Sequence, residues 1–215
     1  MAYDVIDLLE QGYAWTAGRI AQVRPDDLDT PTPCEGWQLR HLLDHLVGSL
    51  ERLAAAAEGE GGDGDRDGAA PADPPDGRTQ ADSASQAAGP GQARAQTLTD
   101  RLGDDCGHAA FDAVRRRALA AWRRPGVMAR TCELPLGTLP APAAAHINLV
   151  EVVVHGWDVS QAIGEAAAIP PGLAEPILEF SRKAVDPARG RAFGPDLAVG
   201  DTVGDRLVAF LGRKP

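Results

Sequence analysis

The sequence is short of cysteine, short of positive charge and without any long apolar run. Its three cysteines, Cys34, Cys106 and Cys132, are an odd number and form no CxxC pair. That excludes a disulfide framework and a cysteine-rich zinc site, and it predicts a reducing, cytoplasmic setting. The net charge is -10 and the pI about 4.9. A nucleic-acid binder needs a basic face to displace counterions, and an anionic membrane surface needs the same, so neither partner is expected. No apolar run reaches the ~18 residues of a membrane span. Met1-Ala2-Tyr3-Asp4 carries no basic segment, so no signal peptide is expected. Strand signals are scarce as well.

What is present suits one globular domain spanning 1–215. Hydrophobic residues make up 44% of the 215 and charged residues 24%, which is enough to bury a core without disulfides. One compositional break interrupts the chain. Residues 54–97 contain no Val, Ile, Leu, Met, Phe, Trp, Tyr or Cys. Ala54 to Ala57 can finish a helix. Residues 58–96, with eight acids and three arginines, cannot bury enough apolar surface to offset their ordering entropy. They read as a disordered acidic insert. Two motifs inside it match by letter only. Gly59-Glu60-Gly61-Gly62-Asp63-Gly64 fits GxGxxG, but neither a strand nor a helix frames it. Asp63 to Gly68 opens like a calcium loop, yet Pro74 stands where the bidentate Glu belongs.

The rest reads as helices. Val5, Leu8, Leu9, Tyr13 and Ile20 give helical spacing over 3–23, before Pro25. A turn-rich connection over Asp29 to Gly36 leads to a helix from about Trp37 to Ala57, whose leucines form one broad stripe. A third helix is expected at 105–123, stopped by Pro125-Gly126. A short extended piece follows from Ala129 to Leu139. Further helices are expected at 141–164, 173–185 and 202–211. Long helices with mostly short links predict an all-α, antiparallel four-helix bundle with short helices at its C-terminal end.

The helix at 141–164 is the informative one. Leu149, Val152, Val153, Val154, Trp157, Val159 and Ile163 spread around most of its circumference, the pattern of a buried helix. Asn148, Glu151, His155 and Asp158 fall in one polar sector about 80° wide at ~100° per residue. A carboxylate buried there without a partner would cost several kcal/mol, so something must face that sector. Glu151 and His155 are i and i+4 and can reach one ion. His45, on the edge of the leucine stripe of the second helix, can supply a third ligand. Three protein ligands with an open position make the pattern of a catalytic divalent site, most simply zinc. The rival reading is a hydrogen-bonded Glu–His pair in a core. His146 lies about 180° from His155 and His41 points more to solvent, so neither is expected to be a ligand. Asp158 either orients a ligand histidine or makes a helix-end hydrogen bond. Trp37 and Trp157 line the pocket or belong to the core. The three cysteines read as packed residues, since no His or Asp is so placed in sequence as to lower a thiol pKa. The Arg115-Arg116-Arg117 run reads as a solvated face.

Thr32-Pro33-Cys34-Glu35-Gly36-Trp37-Gln38-Leu39, with Leu42-Leu43-Asp44-His45-Leu46 after it, resembles the opening of the actinobacterial DinB-like family. More narrowly, it is similar to the mycothiol-dependent maleylpyruvate isomerase N-terminal type of metal-binding protein. Glu151 to Asp158 resembles that family's second signature, and Asp205 to Arg213 the tail of a single-domain branch. The resemblance covers about 1–57 and 104–215. It implies a DinB-like bundle in which His45, Glu151 and His155 match the metal ligands, with zinc first and nickel second. It also implies a low-molecular-weight thiol, mycothiol, as cosubstrate. The isomerase has a further C-terminal domain that contributes to its activity; none is expected in this sequence. The wider family also serves secondary metabolism.

Three functions follow as expectations. The first is a divalent-metal-dependent thiol transferase or isomerase acting on a small electrophilic substrate, with Asn148 and Asp158 shaping the shell. The second keeps the metal but makes water the nucleophile, giving a hydrolase. The third is a non-catalytic or metal-free small-molecule-binding bundle, or a pathway-specific cyclase or isomerase that uses the same pocket.

Overall fold

The computed structural model describes residues 3–60, 101–165, 167–185, 189 and 193–215. Six helices occupy most of them: α1 (Val5–Ile20), α2 (Leu39–Glu58), α3 (His108–Trp122), α4 (Ala141–Ala162), α5 (Pro171–Ala184) and α6 (Val203–Phe210). Each starts or stops for a local reason. The Asp4 carboxylate caps α1 by accepting from the Ile6 N–H at 2.8 Å. Gly59, at φ 86°, closes α2 in the left-handed conformation. Pro171 opens α5 at a position where no amide proton is needed. Thr202 and Asp205 form a reciprocal capping box at the start of α6.

Helices α1 to α4 form the four-helix body, with α1 against α4 and α3, and α2 against α3 and α4. The fold is all-α and DinB-like, and α5 and α6 pack together beside the body. The stripe on α2 is buried from Leu39 to Leu53, and α4 is buried almost all round. No helix among the described residues is long and apolar enough to cross a membrane.

Close approach of α1 and α4 depends on a small residue. A Cβ on Gly156 would run into the Thr16 side chain, which instead donates to the Val152 carbonyl at 2.7 Å. This contact fixes the depth of α4 one residue from His155.

Two expectations need correction. Residues 129–139 are more than an extended piece. Thr131–Leu134 (β1) pairs antiparallel with Gly137–Pro140 (β2), closing on Pro135-Leu136 as a two-residue loop. Cys132 is buried from this hairpin. Glu58 belongs to α2 and not to an insert, since its carboxylate is mostly buried and paired with Arg117 and Arg124. From residue 61 the predicted insert and its two look-alike motifs lie outside the described residues. The arginine run is solvated but paired: Arg115 and Arg116 meet Asp112, and Arg117 meets Glu58 and Glu60.

Candidate metal centre

Two members of the polar sector of α4, Glu151 and His155, meet His45 on α2. Ligand atoms of His45, Glu151 and His155 all lie within 4.8 Å of one another. Glu151 Oε2 is 3.4 Å from His155 Nε2 and 3.7 Å from His45 Nε2. The two imidazoles meet edge to face with centroids 5.3 Å apart. Although buried, Glu151 Oε2 takes no hydrogen bond from either ring. A buried carboxylate oxygen left so is unfavourable unless a positive partner serves it. Two imidazole nitrogens and one carboxylate oxygen, pointing inward and not bonded to each other, fit a divalent ion of the zinc type.

The electrostatics are those of a tightly coupled site. Burial pushes the Glu151 carboxyl up, but the approach of His155 and His45 outweighs it and holds the group well below the usual carboxylate range. Burial pushes His155 down, and Asp158, Cys34 and Glu151 together outweigh it and hold the imidazole well above its ordinary value. Trp37 is partly buried and closes one side, its ring 4.7 Å from that of His45. Ser49 is one turn beyond His45 on α2. Its hydroxyl lies 3.4 Å from His45 Nε2 and accepts from Arg52 at 3.0 Å.

Behind His155 stands a second, fully buried group of side chains. The His155 Nδ1–H donates to Asp158 Oδ2 at 2.9 Å. In the neutral ring that keeps the proton on Nδ1 and aims Nε2 at Glu151 and His45. Arg213 Nε donates to Asp158 Oδ1 at 2.8 Å and its Nη2 to Oδ2 at 2.9 Å. Burial raises the Asp158 carboxyl, yet the Arg213 charge and the hydrogen bonds from His155 and Arg213 hold it down at about 2. The Cys34 thiol sits 3.4 Å from Asp158 Oδ2 and 3.7 Å from Arg213 Nη2.

Several expectations change here. Cys34 does have a carboxylate and a histidine beside it, brought by folding from over a hundred residues away, so the sequence-neighbour argument fails for this thiol. Cys106 and Cys132 are packed, and burial pushes both thiols up. Asn148 is not among the converging groups. It is fully buried, its amide donates to Tyr13 Oη at 2.9 Å, and its oxygen accepts from Trp122 Nε1 at 2.8 Å. It shares the polar sector but is spent on a core network. Trp157 is packed in the core. His146 stacks on Phe180 of α5, away from the centre as the wheel predicted. Arg213 was missed. Its only sequence signal was its place in the tail motif, which says nothing of where the side chain goes. Ser49, at i+4 from His45, was within reach of the same wheel arithmetic.

Comparison with known proteins finds relatives and a family. Two curated relatives from Mycobacterium tuberculosis, both named only as uncharacterized proteins, are each 30% identical over 205 residues, covering 92% of this chain and 91% of theirs. No solved structure matches the chain significantly. The family profile described as mycothiol maleylpyruvate isomerase N-terminal domain matches residues 9–160, a span with all of α2 and α3, most of α1 and α4, and every member of the His45–Glu151–His155 cluster. The chain therefore belongs to the mycothiol maleylpyruvate isomerase N-terminal domain family.

Proposed function

We propose that the protein is a divalent-metal-dependent enzyme of the cytoplasm that uses a small thiol, of the mycothiol type, to transfer sulfur to or isomerise a small electrophilic organic substrate. One observation carries this reading: two imidazole nitrogens converge, at 3.4 and 3.7 Å, on one buried carboxylate oxygen. The family supports the thiol.

In this reading His45, Glu151 and His155 hold the ion, zinc by preference and nickel as the alternative. A bound divalent ion would favour the thiolate form of an incoming thiol, as it lowers the pKa of bound water. The protein's own residues do the rest. Asp158 fixes the ring of His155 through its Nδ1–H, so that Nε2 is the nitrogen offered to an ion. Glu151 contributes the negative charge that offsets the ion. Trp37 shields His45 from solvent on one side.

The test is turnover by the metal-loaded protein of a panel of small unsaturated acids, with and without mycothiol. Consumption that requires the thiol supports the proposal. Consumption indifferent to thiol would make water the nucleophile. Metal uptake without turnover of any panel member would leave a binding bundle.

A further inference from the structure

The last turn of the described chain is built to aim one side chain. Helix α6 ends at Phe210, and Gly212 follows at φ 86°. The Arg213 N–H donates to the Val208 carbonyl at 2.9 Å and the Gly212 N–H to Ala209 at 3.0 Å. That pair of bonds is a Schellman ending, which reverses the chain and needs a left-handed residue at its corner. A Cβ on Gly212 would also meet the Gly194 backbone at 2.6–2.9 Å. The turn therefore sends Arg213 back into the bundle, where it is only 9% exposed.

There the guanidinium grips both oxygens of Asp158, which has no exposure at all. Its Nη1 also reaches the Leu211 carbonyl at 3.4 Å, and its Nη2 faces Cys34 from the loop before α2. Buried ion pairs add little net stability, because desolvation cancels most of the attraction. A planar fork on both oxygens does fix orientation. Asp158 can present Oδ2 to His155 Nδ1 in one direction because Arg213 leaves it no other.

We propose that Arg213 is a positioning residue that couples docking of the C-terminal tail to metal loading at His155. The proposal rests on the metal reading above. By linkage, the docked tail raises metal affinity and bound metal holds the tail down.

The experiment compares wild type with Arg213→Ala, Arg213→Lys and Gly212→Ala, using zinc as the probe and chelator competition as the readout. Histidine 15N correlation spectra of the metal-free proteins report the His155 tautomer, and hydrogen exchange reports residues 203–215. Arg213→Ala should bind zinc about 10–100-fold more weakly and lose the hydrogen-bonded Nδ1–H signal. Arg213→Lys should recover part of both, since one ammonium replaces the charge but not the fork. Gly212→Ala should weaken zinc although every charged group remains. Zinc should slow exchange in the wild-type tail. Wild-type affinity in a folded Arg213→Ala protein overturns the proposal. Should Arg213→Ala not fold, unchanged affinity in both other variants overturns it. If wild type takes up no zinc, the metal reading fails separately, and an intact His155 signal in Arg213→Ala or Gly212→Ala overturns this proposal.

Discussion

His155 and Asp158, three residues apart on α4, are joined by a hydrogen bond of 2.9 Å from Nδ1 to Oδ2. The bond turns the other nitrogen of the ring toward Glu151 and His45. It also ties the site to the tail, because Arg213 closes on the same carboxylate.

The first consequence concerns acid. The Asp158 carboxyl is depressed from 3.8 to about 2 in the folded protein. A depressed carboxyl contributes stability that is fully present above its unfolded pKa and lost as pH falls through the folded one. The contribution is about 2 kcal/mol, lost between about pH 4 and pH 2. Urea unfolding at stepped pH should show wild type losing more stability over that window than Asp158→Asn. Equal slopes for the two proteins would remove Asp158 as the cause.

Zinc and protons should compete for His155. In the metal-free protein the imidazole holds its proton well above the ordinary value of 6.5. The proton must leave before Nε2 can bind an ion, so affinity falls as pH drops, and the fall begins above 6.5. Chelator competition at stepped pH should show the loss setting in above the ordinary histidine range and approaching, at most, about tenfold per pH unit for the one proton displaced. A flat profile down to the ordinary histidine range would contradict the geometry.

Asn148 should matter to the fold and not to the metal. Its amide joins Tyr13 on α1 to Trp122 on α3 inside the core. Asn148→Ala leaves those groups unsatisfied and should cost about 1–3 kcal/mol by denaturant unfolding. Zinc affinity of the folded variant should stay within about threefold of wild type, under ~0.7 kcal/mol. A loss as large as that from a ligand variant would return Asn148 to the site.

Gly156 sets the depth of α4. Gly156→Ala must push α4 away from Thr16, at a cost of about 1–3 kcal/mol of overpacking. Because His155 is the adjacent residue, the same change should weaken zinc binding, which Gly18→Ala, in open space on α1, should not. Thermal unfolding and chelator competition on both variants check this.

Helix positions and the three converging side chains were legible in the sequence because both follow from helical periodicity. An apolar stripe reports a buried face. A polar sector of four residues on an otherwise apolar helix reports something opposite it. The same arithmetic put His146 on the far side correctly. It could not separate Asn148 from Glu151, since a polar residue in a buried sector answers equally to a core network or to an ion. The Cys34 and Arg213 contacts were invisible for a different reason. Both depend on chain reversals, one in the loop before α2 and one after α6, and loop direction has no periodic signal. The β1–β2 hairpin escaped because its strands are four residues each and its turn lacks the usual Asn-Gly or Asp-Gly pair.

The most direct measurement is elemental analysis of wild type, His155→Ala and His146→Ala, each purified without chelator and then offered zinc. The centre described here predicts close to one divalent ion per chain in wild type, the same in His146→Ala, and a large loss in His155→Ala, because two remaining ligands hold zinc poorly. A wild-type protein that neither carries nor takes up a divalent ion, or a His146→Ala variant as depleted as His155→Ala, would contradict it.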